Sequence, residues 1–338
     1  MGVWSQDVGK NCLRLRFFEG PSVVSQPTGV LSSLVEAYGF LPSLGRPVHS
    51  VCRSLTICMT VAAAEKRPLD WITITFISGL HIGSLLVLFP RYFTWTGLGL
   101  AIFMYWLTGC VGITMGWHRL ISHRSYQVPK WLEYFFVFCG SLSCQSGPTE
   151  WIGLHRHHHA YSDTDQDHHS SKKGFWWSHI NWIWFEVEAR KELPRFTRDI
   201  ASDPVYRFFD KYFIQLQFVL GFMFYIAGDL LVDNGMSFVV WGIFFRLVFL
   251  YHCTWLVNSA THKFGYRTYE TEDKSTNCWW VALLAFGEGW HKNHHAHQYS
   301  ARHGLKWWEF DITWILISFL ERLGLASKIK LIDPADLA

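Results

Sequence analysis

The chain has 338 residues, of which 50% are hydrophobic and only 17% are charged. A soluble domain usually carries roughly 25% charged residues, so this composition favours a membrane protein over a soluble one. The formal net charge of +3 is too small to indicate a nucleic acid as the partner.

The N-terminal stretch, residues 1–65, differs in composition from the rest of the chain. It is rich in Ser, Gly, Pro and Val and holds few acids. Arg and Ser with few acids are typical of an organelle transit peptide. We therefore expect residues 1–65 to be a transit peptide, with a disordered N-terminus as the alternative, and residues 66–338 to form a single domain.

Four apolar segments follow, and each approaches the roughly 20 mostly apolar residues that a spanning helix needs. They comprise about residues 71–89, 94–115, 212–232 and 237–258. Short turns at residues 90–93 and 233–236 join them into two hairpins. Residues 131–140 form a shorter apolar run that contains Glu133, so we expect a buried or interfacial helix there. The sequence thus predicts an all-α membrane protein with four transmembrane helices in two hairpins.

Counting the spans places residues 118 and 260 on the same side of the membrane. Residues 118–211 are rich in Lys and Arg, whereas the hairpin tips hold only Arg91. Basic loops stay on the cytosolic side or its equivalent, such as the stroma. We therefore expect a helical cytosolic or stromal cap that holds the His-rich regions.

Three histidine clusters stand out among the 18 His residues. They contain His118 and His123; His155, His158 and His159; and His291, His294 and His295. The second and third clusters share the pattern His-x-x-His-His, whose positions lie on one face of a helix. The two histidines of the first cluster lie five residues apart, or roughly 140° on an ideal helix. They can converge only if the helix ends or distorts between them.

The number of clustered histidines indicates two metal ions. A zinc site takes three or four protein ligands, so eight histidines are too many for one ion. Imidazole binds Fe, Zn, Cu and Ni, so ligand type alone does not choose the metal. His262 follows the fourth span and offers a ninth ligand, and Asn258 one turn earlier can hold a bridging water.

The other histidines are expected to have different roles. His49, His81, His179 and His252 are isolated in the sequence, and we interpret them as residues without a metal. His168, His169, His297 and His303 lie near the clusters and are expected to be supporting or surface residues. Nearby Asp163, Asp165 and Asp167 either orient ligand imidazoles by accepting their second N–H or form a solvated loop.

Five motifs resemble those of the membrane fatty-acid desaturases, specifically the Δ9 acyl-lipid branch of cyanobacteria and plant plastids. They cover residues 116–126, 151–159, 174–179, 255–262 and 286–304. The resemblance implies a non-haem di-iron centre that uses O₂, with nine ligands: His118, His123, His155, His158, His159, His262, His291, His294 and His295. It further implies that Asn258 holds a water and that Trp151 and Gln145 shape the acyl tunnel near its bend. Asp167-His168-His169 departs from the Asp-Pro-His of the family, which affects the local loop shape.

The expected activity is O₂-dependent Δ9 desaturation of a saturated C16 or C18 acyl chain on a glycerolipid, in unsaturated fatty acid biosynthesis. Alternatives are Δ7 desaturation of palmitoyl-galactolipid, Δ9 desaturation of acyl-CoA, and hydroxylation by the same metal core. A His-rich zinc transporter is an alternative from another class, although it would need ionisable residues inside the spans. A zinc hydrolase is disfavoured because no His-Glu-x-x-His occurs.

The sequence contains no segment for a fused electron carrier between its spans and histidine clusters, so a separate donor is expected. The resemblance points to ferredoxin, with cytochrome b5 as the alternative. An acidic donor would dock by charge steering on a basic patch, or the patch would face lipid head groups: Lys172, Lys173, Arg190, Lys191, Arg195 and Arg198. We expect a multi-pass protein of the chloroplast, or alternatively of the endoplasmic reticulum.

Overall fold

The structure is a computed structural model that describes residues 67–333. The expected transit peptide, residues 1–65, lies outside the described residues. Within residues 67–333 the regular secondary structure is helical, and β-structure is limited to isolated bridges such as that between Gln127 and Ser327. The predicted all-α class is confirmed.

The described residues form α-helices, with π-helical and 3₁₀ turns that extend several of them. The α-helices are α1 (Trp71–Ser84), α2 (Trp95–Tyr105), α3 (Lys130–Ser141), α4 (Pro148–Tyr161), α5 (Phe175–His179), α6 (Leu193–Phe196), α7 (Pro204–Val232), α8 (Gly235–Val239), α9 (Arg246–Ser259), α10 (Trp279–Leu284), α11 (His291–Ala296) and α12 (Ile312–Arg322). The π-helical segments are Trp106–Ser122, which continues α2, and Val240–Phe245, which joins α8 to α9.

Four continuous helical stretches are long and apolar enough to cross a bilayer. Spans 1 to 4 are Trp71–Leu88, Trp95–Ser122, Pro204–Val232 and Gly235–His262. The four predicted spans are confirmed, but the helices extend beyond the apolar runs that predicted them. Span 3 already begins at Pro204, because Asp203 caps it by accepting a 2.9 Å hydrogen bond from the Val205 backbone N–H.

The spans form an inner and an outer pair. Only 11% of the most apolar stretch of spans 1 and 3 is buried inside the protein, against 56% and 61% for spans 2 and 4. Spans 1 and 3 therefore offer most of their surface to lipid. Spans 2 and 4 form the protein interior. Span 2 ends at Ser122, next to His123, and span 4 ends at His262.

The two hairpin tips are joined to each other. The Asn234 side chain donates a 2.8 Å hydrogen bond to the carbonyl of Arg91, and the hydroxyls of Thr94 and Ser237 lie 2.7 Å apart. These bonds connect both turns and hold the beginnings of spans 2 and 4 side by side.

Helix α3 packs closely against the π-helical part of span 2. A Cβ on Gly112 would lie 2.3 Å from the Gly140 backbone nitrogen, so only glycine permits this approach. On its other side α3 exposes Trp131, Phe135 and Phe138. The predicted helix at residues 131–140 is confirmed, and one of its faces is buried.

Candidate metal centre

The π-helical end of span 2 brings the first two histidines together. The backbone N–H of His123 donates to the carbonyl of His118 at 3.1 Å, which is the five-residue hydrogen bond of a π-helix. The helix ends at Ser122, and the two imidazole ring centres lie 4.8 Å apart. The expected distortion and end of the helix between His118 and His123 are both confirmed.

One set of histidines, here called group A, gathers beside this turn. Its ligand-capable atoms all lie within 4.8 Å of one another. The closest approaches are His123 Nε2 to His155 Nε2 at 2.8 Å and His294 Nε2 to His159 Nε2 at 3.0 Å. The members of group A are His118, His123, His155, His159 and His294.

A second set, group B, lies next to it and is fully buried. Its ligand-capable atoms also lie within 4.8 Å of one another, and its members are His158, His262, His291 and His295. The two His-x-x-His-His clusters therefore each supply both groups. In α4, His155 and His159 are one helical turn apart and belong to group A, whereas His158 points to group B. The nine histidines predicted as ligands are the nine members of groups A and B.

The chemistry of the two groups fits metal ions. His294 Nε2 faces both His118 Nε2 at 3.2 Å and His159 Nε2 at 3.0 Å, and a single N–H cannot satisfy two such contacts. In group B, Nε2 of His158, His291 and His295 is buried without a hydrogen-bond partner. Buried polar atoms are normally paired, so converging unpaired nitrogens are what a cation site requires.

Carboxylates fix the orientation of three group B rings. His158 Nδ1 lies 3.1 Å from Asp167, His262 Nδ1 lies 3.2 Å from Asp163, and His295 Nδ1 contacts Asp273. A carboxylate on Nδ1 leaves Nε2 as the free nitrogen and directs it into the group. Asp163 and Asp167 thus do what was predicted as one of two alternatives, whereas Asp165 is exposed.

A buried ionic network supports group A, and sequence reasoning did not find it. Glu288 Oε2 lies 2.7 Å from His118 Nδ1 and 3.1 Å from His303 Nδ1. Its other oxygen accepts a 2.9 Å hydrogen bond from Arg119, which also pairs with Asp311 at 2.9 Å. The signal in the sequence was Glu288 in a Gly-Glu-Gly-Trp-His run, three residues before His291. The partners Arg119 and Asp311 are too distant in sequence to pair by inspection.

Most of these rings are held in the protonation state that favours metal binding. Burial lowers the pKa of His155, His159, His291 and His294 well below the ordinary value, and neighbouring histidines lower it further. These rings are therefore neutral, which is the form that coordinates a metal. At His158 burial also opposes the charge, but the Asp167 carboxylate outweighs it and raises the pKa.

The remaining histidines are placed as follows. His303 packs on His294 with ring centres 4.4 Å apart, and His169 packs on His158 at 4.2 Å, so both support ligand-capable rings. His81, His252 and His179 form a hydrogen-bonded row with N···N distances of 3.1 and 3.0 Å. This row belongs to neither group A nor group B.

Two adjoining cavities pass beside both groups. The inner cavity lies between spans 2 and 4 and is lined by apolar residues together with His118, His155, His158 and His291. The outer cavity lies between spans 1, 3 and 4 and helix α4, and Gln145 lines it. The residues that line both cavities, and so form their junction, are Trp151, His155, Thr254 and Asn258.

Of the two residues predicted to shape the acyl tunnel, Trp151 lies at the junction and Gln145 lines the outer cavity beside it. Trp151 stacks on His155 with ring centres 5.3 Å apart and donates to Gln145 Oε1 at 3.4 Å. Gln145 in turn donates to the Thr254 hydroxyl at 3.1 Å. This polar row stands where the two cavities meet, beside a ring of group A.

Comparison with known proteins agrees with this arrangement. The fatty acid desaturase family model matches residues 93–326. The chain is 59% identical over 275 residues to an Anabaena variabilis protein named sn-1 stearoyl-lipid 9-desaturase, covering 81% of this chain and 99% of that protein. It is 43% identical over 274 residues to the Arabidopsis thaliana protein named palmitoyl-monogalactosyldiacylglycerol delta-7 desaturase, chloroplastic (80% and 72% covered). It is also 43% identical over 261 residues to icosanoyl-CoA 5-desaturase of Limnanthes douglasii (76% and 72% covered). The chain is therefore an oxidoreductase that belongs to the fatty acid desaturase family.

Proposed function

We propose that this protein catalyses the O₂-dependent Δ9 desaturation of a saturated C16 or C18 acyl chain carried on a glycerolipid. The observation that carries the proposal is an apolar cavity whose wall includes rings of both histidine groups. A saturated chain in this cavity presents its methylene carbons directly to the candidate metal centre. The relative with 59% identity is named for the same reaction, whereas those named for Δ7 and acyl-CoA reactions are 43% identical.

The proposed cofactor is a pair of irons, one in each histidine group. The proposed ligands are His118, His123, His155, His158, His159, His262, His291, His294 and His295, with Asn258 holding a water. Removing two hydrogens from an unactivated methylene pair needs an oxidant that no side chain supplies, and two irons with O₂ supply it. Neutral imidazoles leave more positive charge on the metals than carboxylates would.

The protein residues position the chain and exclude water. We infer that Trp151 and Gln145 form the inner wall of a bend at the cavity junction, so that one carbon pair lies against group A. Tyr105 and Phe286 line the inner cavity, and their ring centres lie 4.8 Å apart. An apolar lining at this position disfavours water beside the reacting carbons.

The lining of the outer cavity supports a lipid carrier over coenzyme A. Ile72 and Phe213 come from spans 1 and 3, the spans that face lipid, so an acyl chain can enter from the bilayer. Among the described residues that line this cavity, Arg190 is the one Lys or Arg, and it pairs with Glu150 at 2.6 Å. The phosphates of coenzyme A are favoured by charge-assisted hydrogen bonds from Lys or Arg, which the described lining of this cavity offers at Arg190 alone.

The other hypotheses differ in their support. A hydroxylase would use the same histidine groups, and the product separates it from a desaturase. The zinc transporter hypothesis is set aside, because the family assignment makes the chain an oxidoreductase. Δ7 desaturation and an acyl-CoA substrate remain the alternatives within the family.

The proposed electron donor is a ferredoxin, with cytochrome b5 as the alternative. All six residues of the basic patch are exposed. However, Arg190, Lys191 and Arg195 pair with nearby carboxylates, so the net attraction for an acidic donor rests on Lys172, Lys173 and Arg198. We propose a chloroplast location, which is supported by the Arabidopsis thaliana relative named chloroplastic, with the endoplasmic reticulum as the alternative.

Expression in a host that lacks desaturases tests the proposal. The chain should produce lipids with one new double bond at Δ9, read by mass spectrometry of derivatised acyl chains. Replacing His158 by Ala should abolish the product. A hydroxylated product, or a bond at Δ7 only, would support the corresponding alternative instead.

A further inference from the structure

Arg246 is a buried charge inside span 4. Its side chain is 1% exposed, and a charged group at this depth of a membrane is costly. No carboxylate within residues 67–333 lies within ion-pair distance of its guanidinium. Its closest hydrogen bonds go instead to backbone carbonyls, at 2.6 Å to Leu142 and 2.9 Å to Gly242. A buried arginine at this position without a counter-charge indicates a specific structural or functional role.

Arg246 contacts the carboxyl end of α3. Leu142 is the residue at which α3 ends, and its carbonyl has no partner within the helix. Arg246 donates to this carbonyl, and Gln217 from span 3 donates to it as well, at 3.3 Å. A positive charge at a helix carboxyl end is also favoured by the helix dipole. Arg246 therefore fixes the point where the chain leaves α3.

The chain that leaves α3 is a strained loop that carries Gln145. Cys144 and Ser146, on either side of Gln145, have backbone φ angles of 55° and 75°. Residues other than glycine seldom adopt this region. Tyr251, fully buried in span 4, donates from its hydroxyl to the Cys144 carbonyl at 2.5 Å. Such a conformation persists only where neighbouring residues hold it.

Helix α9 of span 4 thus holds this loop at three successive points. Arg246 binds the Leu142 carbonyl, Tyr251 binds the Cys144 carbonyl, and Thr254 accepts from the Gln145 side chain. Gln145 then reaches Trp151, which stacks on His155 of group A. The position of the loop is therefore transmitted to the junction of the two cavities.

We propose that Arg246 and Tyr251 are positioning residues that determine which carbon pair of the acyl chain is desaturated. This inference rests on the proposed desaturation. Both residues act through Gln145. While they hold the loop in place, the bend of the bound acyl chain lies at one fixed carbon pair. When the loop is released, the bend moves, and neighbouring carbon pairs reach the metal centre.

The test compares the products of the wild type, Tyr251→Phe and Arg246→Gln in a desaturase-deficient host. Tyr251→Phe keeps the ring and removes only the hydroxyl. Tyr206→Phe is a matched control, because its buried hydroxyl donates to Glu133 near the opposite end of α3 at 2.8 Å. Double-bond positions are read by mass spectrometry, and the amount of protein in the membrane fraction is measured for each variant.

Both test variants should yield isomers with the double bond moved to adjacent carbon pairs, and Tyr206→Phe should not. We expect the ratio of main to displaced isomer to fall about tenfold, equivalent to about 1.4 kcal/mol. If Arg246→Gln fails to accumulate in the membrane fraction, the isomer distribution of Tyr251→Phe alone tests the inference. A lower yield with a single unchanged isomer in Tyr251→Phe would overturn the inference while leaving the proposed function intact. No unsaturated product from the wild type would overturn the proposed function itself.

Discussion

Asp273 contacts Nδ1 of His295 and thereby directs the other ring nitrogen of His295 into group B. Asp273 comes from a loop before α10, and it also accepts hydrogen bonds from the Ser275 hydroxyl at 2.8 Å and the Lys292 ammonium at 3.2 Å. These partners hold the carboxylate in place and explain why burial does not neutralise it. The contact links a loop without any predicted role to the candidate metal centre.

Replacing Asp273 by Asn should weaken metal binding in group B. The neutral amide oxygen accepts a weaker hydrogen bond from Nδ1–H than the carboxylate does, and loss of such a carboxylate partner typically costs about 10–100-fold in metal affinity. Bound iron, measured after dialysis against increasing chelator, should be lost at lower chelator concentration than in the wild type. Asp165→Asn is the control, because it removes the same charge from an exposed position. Equal iron retention in both variants would contradict this role.

A larger side chain at residue 109 should shift the preference for chain length. A Cβ on Gly109 would lie 2.8 Å from the Phe286 ring and 2.9 Å from Leu250, at the wall of the inner cavity. Gly109→Leu should therefore shorten the space for the end of the acyl chain. We expect the ratio of C18 to C16 products to fall by about tenfold or more, since each methylene is worth roughly 1–3 kcal/mol.

The control for this experiment is Gly99→Leu, because a Cβ at Gly99 meets nothing within 4 Å. It should leave the C18 to C16 ratio unchanged. An unchanged ratio in Gly109→Leu would mean that the acyl end does not reach this part of the cavity.

Asp199 should make stability depend on acid pH. It pairs with Arg156 at 2.7 Å and Arg124 at 2.6 Å, and so joins α4 to the segment after His123. Burial opposes its charge, but the two guanidinium groups lower the pKa of Asp199 to about 2, below the roughly 3.9 of an unfolded chain. The stabilisation is therefore complete above about pH 4 and is lost as the pH falls towards 2.

The measurement is the midpoint of thermal unfolding in detergent against pH, for the wild type and Asp199→Asn. The difference between the two proteins should be largest near neutral pH and should shrink as the pH falls below 4. A difference that stays constant down to pH 2 would show that this ion pair does not contribute to the pH dependence.

The contact between α3 and span 2 should not tolerate a methyl group. A Cβ at Gly112 would lie 2.3 Å from the backbone nitrogen of Gly140, and backbone cannot move aside as a side chain can. Gly112→Ala should destabilise the protein by about 1–3 kcal/mol. Gly79→Ala is the control, because a Cβ there meets nothing within 4 Å. The thermal unfolding midpoints of both variants would decide, and equal midpoints would exclude the close packing.

Much of this arrangement is predictable because it depends on local pattern. The four spans follow from apolar length, and the three histidine clusters follow from spacing alone. The end of span 2 shows what local pattern does not predict. The five-residue separation of His118 and His123 indicates that something must distort, but it does not say that the π-helix begins as early as Trp106.

The partition of the histidines was not predictable from their helical face. His158 shares a face with His155 and His159, yet it belongs to group B, because Asp167 turns its ring. Contacts between distant segments likewise escape a single sequence. The bonds of Glu288 to His118 and of Arg246 to Leu142 join residues more than one hundred positions apart. They depend on how the helices pack.

Iron analysis combined with Mössbauer spectroscopy of the purified protein tests whether groups A and B hold two irons. We expect two irons per chain in imidazole-rich environments. We further expect His158→Ala to remove mainly one of them and His159→Ala mainly the other, since the two neighbours belong to different groups. A preparation that binds a single zinc, or in which both variants lose the same iron, would contradict two irons held separately by groups A and B.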